Sequence, residues 1–170
     1  HLSIRRQRQM CIRDSTWEQM SNELEVLGVR RVILRFGMVF GRSGGSLPML
    51  LLSYRLWAGA IIGNGQQHLG WIHIEDLLRL IAFAIREENV RGKINAVAPD
   101  VPTFAEFSRL TAHLLQRPVW FRIPGNFLRA MLGEMSTLFV DGPRIVPRRL
   151  QQLVFEYRFP DLRSALMDLS

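Results

Sequence analysis

Apolar residues along this chain switch between two spacings, and the switches divide it into alternating helices and strands. Trp17, Met20, Leu24 and Leu27 recur every three or four positions, with Ser15 or Thr16 placed to cap the first turn and Gly28 placed to stop the last. That spacing predicts an amphipathic helix feeding the run Arg31-Val32-Ile33-Leu34-Arg35. A continuous apolar centre flanked by arginines suits a strand covered on both faces, as in a parallel sheet. A glycine-punctuated loop over 36–45 follows, then a helix over 46–57 with Pro48 in its first turn, where no backbone donor is needed. Gly59 and the Gly63-Asn64-Gly65 group predict a turn leading to a strand over 69–74. Glu75 and Asp76 then open a helix over 76–85, two carboxylates at its positive end, and 92–97 reads as another strand.

Beyond this point the punctuation is clearer. Thr103 and Glu106 spell a capping box for a helix reaching about Leu115, and Arg117-Pro118 breaks it. An extended stretch over 119–123 precedes a helix starting at Pro124 with Phe127, Leu128, Met131 and Leu132, and Gly133 separates this from 135–140. Pro147 opens a helix-containing segment through Leu153, and Phe159-Pro160-Asp161 caps a final helix over 162–169. His1 to Ser15 has no periodicity, and Gln9-Met10-Cys11-Ile12-Arg13-Asp14-Ser15 resembles adaptor-derived sequence, so this leader is set aside as non-native or disordered. The expected organisation is an α/β class chain. Residues 16–118 form part of a parallel-sheet domain, and 119–170 form a small, mostly helical domain.

Composition narrows the function classes. With 170 residues, 48% of them hydrophobic and 22% charged, the chain can bury a core and does not read as disordered. No apolar run approaches the roughly 18 residues that span a bilayer, and the N-terminus has no export signal. Cys11 is the only cysteine, which excludes an internal disulfide, argues against a cysteine-based metal site and points to the cytoplasm. The net charge of +7 is almost all arginine, since Lys93 is the only lysine. The arginines are scattered, with groups at 5–8 and 144–149 and no basic helix interleaved with aromatics, so the pattern argues against nucleic-acid binding.

Candidate chemistry centres on the loop after the first strand and on Trp71 to Asp76. Strand alternation puts Trp71, His73 and Glu75 on one face, where the ring pair either lines a cleft or serves as hydrogen-bonded core. Asp76 fits a helix-start anion better than a catalytic base. His68 and His73 have no carboxylate or cysteine at ligand spacing, so no metal is expected. No glycine triple has the G-x-G-x-x-G spacing of a dinucleotide phosphate cradle. Lys93 has Asn89 four residues before it, so a Tyr-x-x-x-Lys pair is absent and no catalytic residue is assigned.

The ordered motifs Arg35-x-Gly37-x-Val39-x-Gly41, Gly44-Gly45, Gly63-x-Gly65-x-Gln67, Trp71-Ile72-His73-x-x-Asp76-Leu77, Asn95-x-x-x-Pro99 and Arg117-Pro118 continue through Gly133-Glu134-Met135. The tail adds Arg144-x-Val146-Pro147-x-x-Leu150, Phe155-x-Tyr157-x-Phe159-Pro160 and Ala165-Leu166. From Trp17 to Leu169 the chain resembles the C-terminal portion of an extended short-chain dehydrogenase/reductase. The subgroup is the NAD-dependent epimerase/dehydratase type that ends in a small domain. The resemblance implies the last part of a Rossmann-like parallel sheet with a substrate-side helical domain. It also implies NAD or NADP as the parent's cofactor and a small hydroxyl- or carbonyl-bearing substrate, such as a nucleotide sugar. Arg35, Phe36, Gly37, Met38 and Val39 would then border the cofactor, and Gly44, Gly45, Ser46, Trp71 and His73 the substrate. Glycine at 37 and 41 would allow close backbone approach or a positive φ. Lacking the phosphate loop and the tyrosine-lysine pair, the chain itself is expected to be inert, with self-association through an exposed sheet edge. Two rival readings stay open: a non-enzymatic basic module for an anionic partner, and a regulator that senses a nucleotide without turning it over.

Overall fold

A computed structural model describes residues 28–124 and 144–169, together with residues 126 and 142. The helix expected over 17–27 and the segments expected over 125–140 lie outside the described residues, apart from residue 126. In chain order the elements are β1 (Val32–Phe36), β2 (Met38–Phe40), α1 (Leu47–Arg55), β3 (Gly59–Ile62), β4 (Trp71–His73) and α2 (Ile74–Arg86). They continue with β5 (Gly92–Ala96), α3 (Phe104–Leu114), β6 (Val119–Ile123), α4 (Arg148–Gln152) and α5 (Leu162–Leu169).

Among the described residues, the three strand pairs are parallel. β1 pairs with β5, with Arg35 opposite Asn95, β2 pairs with β4, with Met38 opposite Trp71, and β3 pairs with β6. The α/β parallel-sheet architecture expected of a partial Rossmann-like fold is therefore present. Two strands that the glycine pattern hides appear in it: 38–40 reads as loop and 59–62 as turn, yet each is a short apolar run that gains ladder bonds from a distant partner. The boundary expected between 118 and 119 runs through the region where β6 joins β3.

The chain crosses from the first strand pair to the second at Gly37. Met38 N–H donates to the Gly70 carbonyl at 2.9 Å, and a Cβ on Gly37 would collide with that same carbonyl oxygen. Glycine is required at 37 by this backbone contact, and neither Gly37 nor Gly41 has a positive φ. The left-handed position in the following loop is Gly45, at φ 77°, where a side chain would also strike the Val39 carbonyl.

β4 separates two apolar cores. On one side Phe40, Trp71, Phe107, Tyr54 and Leu47 gather with the buried face of α5, Phe40 stacking on Trp71 at 5.4 Å. On the other side Ile72, Leu80, Ile94 and Leu150 pack with Val32, Leu34 and Val39. Helix α2 presents Leu77, Leu80 and Ala84 to the second core. Its C-terminal end is held by Arg30, whose guanidinium donates to the carbonyls of Ala84, Ile85 and Val90 at 2.6 to 2.9 Å and of Glu87 at 3.3 Å. These are carbonyls that a helix end leaves without intrahelical donors, or the turn just after it. No helix among the described residues is long and apolar enough to cross a membrane.

Candidate functional site

Three consecutive residues at the carboxyl end of β1, Arg35, Phe36 and Gly37, are exposed, Phe36 at 57%. Parallel strands of open α/β sheets take ligands at this end, because the loops that follow them leave a crevice there. The next residues turn inward. Met38 packs against the first core, Val39 against the second, and Phe40 is fully buried.

The glycine loop folds back onto β2 through an antiparallel bridge between Phe40 and Gly45. Gly44 and Gly45 are exposed, and nothing lies within 4 Å of where a Gly44 side chain would be. Ser46 precedes α1, but both its backbone N–H, at 3.1 Å, and its hydroxyl, at 3.4 Å, point to the Val39 carbonyl. Its polar atoms hold the loop closed.

Trp71 and His73 lie beside this loop by strand register, opposite Met38 and Phe40, and both are buried at 1% exposure or less. The Trp71 indole N–H donates to the Asp100 carbonyl at 2.9 Å. His73 Nδ1 accepts the Glu75 N–H at 3.2 Å and so caps α2, which leaves Nε2 to carry the ring proton toward the Asp168 carboxylate at 3.5 Å. The His73 ring also lies 3.9 Å from that of Phe159. Pairing thus brings Met38, Val39, Trp71 and His73 together, and the bridge adds Gly44 to Ser46. The side chains of Trp71 and His73 belong to the first core, on the side of Phe40 and α5, and do not share the open surface of Arg35 to Gly37. The alternation of 71–75 predicts a shared face for the two rings, as found; a core on each side of β4 is what hides them.

Asp76 is fully buried and its carboxylate accepts the backbone N–H groups of Arg158 and Phe159 at 2.7 and 2.9 Å. Arg158 also pairs with Glu75 at 2.7 Å. The Tyr157 hydroxyl donates to the Val97 carbonyl at 2.9 Å, and burial, with the Asp76 charge as a second cause, holds its pKa well above the ordinary value of 10.0. Burial likewise raises the Tyr54 hydroxyl, partly offset by its hydrogen bond with Ser108. Sequence reasoning recognised Asp76 as a helix-start anion but missed its partners, which no local pattern marks. Among the described residues, no three His, Cys, Asp or Glu side chains group closely enough to hold a metal ion.

Comparison with known proteins matches residues 123–169 to a family model described as "Domain of unknown function (DUF1731)". An epimerase family protein of Staphylococcus saprophyticus is 41% identical over 153 residues, covering 90% of this chain and 51% of that protein. The epimerase family protein YfhF of Bacillus subtilis is 37% identical over 153 residues, covering 90% and 50%. Among solved structures, human epimerase family protein SDR39U1 with NADPH superimposes with a TM-score of 0.78 at 35% identity, covering 83% of this chain and 48% of that one. The chain spans about half the length of the relatives it matches. By sequence and by fold, this chain is similar over most of its length to about half the length of these epimerase family proteins, with the DUF1731 match over residues 123–169.

Proposed function

We propose that this chain forms the substrate-side part of an NAD(P)-binding, epimerase-like oxidoreductase acting at a carbon that bears a hydroxyl or carbonyl group. What supports this most is the exposed Arg35-Phe36-Gly37 end of a parallel strand, in a chain similar in fold and sequence to a human protein whose crystal structure contains NADPH. When bound, a nicotinamide dinucleotide supplies a hydride donor or acceptor. The exposed residues fit one wall of such a group: Phe36 offers a ring face, and the open space at Gly44 leaves room for backbone approach. They do not fit its phosphate end, because no G-x-G-x-x-G spacing follows any described strand. Trp71, His73 and Ser46 support the wall from behind, with the Trp71 indole, the Ser46 hydroxyl and His73 Nδ1 committed to neighbouring backbone. On this reading the chain alone turns nothing over, and a small molecule is its natural partner.

The test is a chimera joining this chain to the part of the Staphylococcus saprophyticus relative that it does not match. The chimera is expected to bind NADPH, and Phe36→Asp to weaken that binding roughly tenfold, about 1.4 kcal/mol. A folded chimera that binds NADPH equally well with Phe36→Asp would remove the loop from the cofactor site.

A further inference from the structure

Arg35 and Asn95 are register partners on the β1/β5 pair, and Lys93, two residues before Asn95, shares their face. The segment entering α4 lies across from that face, tethered where Asn95 Nδ2 donates to the Val146 carbonyl at 3.4 Å. Between them is an open basin of about 500 Å³ with Arg144, Arg148 and Arg149 along its second wall. Among the described residues, five cations and no carboxylate line it. Arg144, Arg148 and Arg149 are exposed, and their side chains make no hydrogen bond, ion pair or ring contact among the described residues.

The Arg144, Arg148 and Arg149 guanidiniums on one wall repel each other until an anion enters, and each offers a planar pair of donors that matches two oxygens of one phosphate. We propose that this basin is a binding site for a small phosphorylated anion, gripped by Arg144, Arg148 and Arg149, with Lys93 and Arg35 contributing positive potential from the facing wall. The shape favours a small ligand over a nucleic acid strand: among the described residues, no aromatic side chain lines the basin for bases to stack on. The volume lies within the ordinary range of small-molecule sites, roughly 300–1,000 Å³. The inference does not depend on the oxidoreductase reading, since it rests on the tail arginines and requires no hydride chemistry.

Calorimetric titration of the purified chain with sodium pyrophosphate, at ionic strength held constant with sodium chloride, tests it. Saturable binding is expected, weakened at least about tenfold in the combined variant Arg144→Gln, Arg148→Gln, Arg149→Gln. The charge-matched variant Arg79→Gln, Arg109→Gln, Arg163→Gln, altered at exposed positions away from the basin, is expected to bind as the unaltered chain does. Single variants Arg144→Gln and Arg148→Gln, each expected to weaken binding several-fold, serve if the triple variant does not fold. Absence of saturable binding by the unaltered chain overturns the proposal, as does an equal loss in the basin and control variants.

Discussion

The Asp76 carboxylate accepts the Arg158 and Phe159 backbone N–H groups from 82 and 83 residues further along the chain, tying the start of α2 to the tail. The tie is buried, and it positions Phe159 against His73 and Tyr157 under Val97. Asp76→Ala leaves two backbone donors without their anion, so a loss of about 2–4 kcal/mol is expected from hydrogen bonds to a charged acceptor. Denaturant melts measure the loss, and proteolysis should cut first near 154–161. An unchanged midpoint would mean that the tail docks by apolar contact alone.

Arg30 holds the end of α2 in a way that one ammonium cannot reproduce, because its donors are divided among four carbonyls. Arg30→Met, which keeps the apolar stem, is expected to cost about 1–3 kcal/mol, and Arg30→Lys to recover less than half of that. Equal stability of the Lys and Arg forms would show that charge, rather than the geometry of the fork, closes the helix.

Tyr157 gives stability an alkaline limit. Burial first, and the Asp76 charge second, raise its folded-state pKa above the unfolded value of 10.0, so the folded chain holds the phenol proton more tightly. The contribution is fully present below pH 10 and is lost as pH rises toward the folded value. Tyr157→Phe is expected to lower the midpoint at neutral pH and to flatten its decline above pH 10. A parallel decline in both proteins would assign the alkaline limit to other groups.

Legibility followed the range of the interaction. Helix α3 is plain in the sequence because Thr103 and Glu106 form the whole capping box within one turn. Strand β1 is plain because its apolar centre is long enough to show, and β5 because Ile94 and Ala96 alternate with Lys93 and Asn95. β2 and β3 are not, since Met38–Phe40 and Gly59–Ile62 are short, flanked by glycine, and made strands by partners far along the chain. The same limit applies at the site. The glycine at 37 is visible, but its cause is the Gly70 carbonyl, and the alternation of Trp71 and His73 fixes a shared face without saying whether that face meets solvent or core.

Among the described residues β1 pairs with β5 alone, and Val29 and Phe36 beside it are exposed at 52% and 57%. An unpaired strand edge with apolar neighbours recruits another strand. Concentration-dependent association is therefore expected in sedimentation velocity, reduced by Phe36→Lys. A single monomeric boundary at all concentrations would exclude this edge as an association surface.

A chain that contributes a wall of an NAD(P) site without the groups that perform the chemistry should leave NADPH absorbance at 340 nm unchanged. The purified chain is assayed with a panel of ketones, aldehydes and sugar nucleotides. No decline in absorbance beyond the enzyme-free rate is expected. Turnover that rises in proportion to chain concentration, persists through purification to homogeneity and is abolished by Phe36→Asp would contradict it.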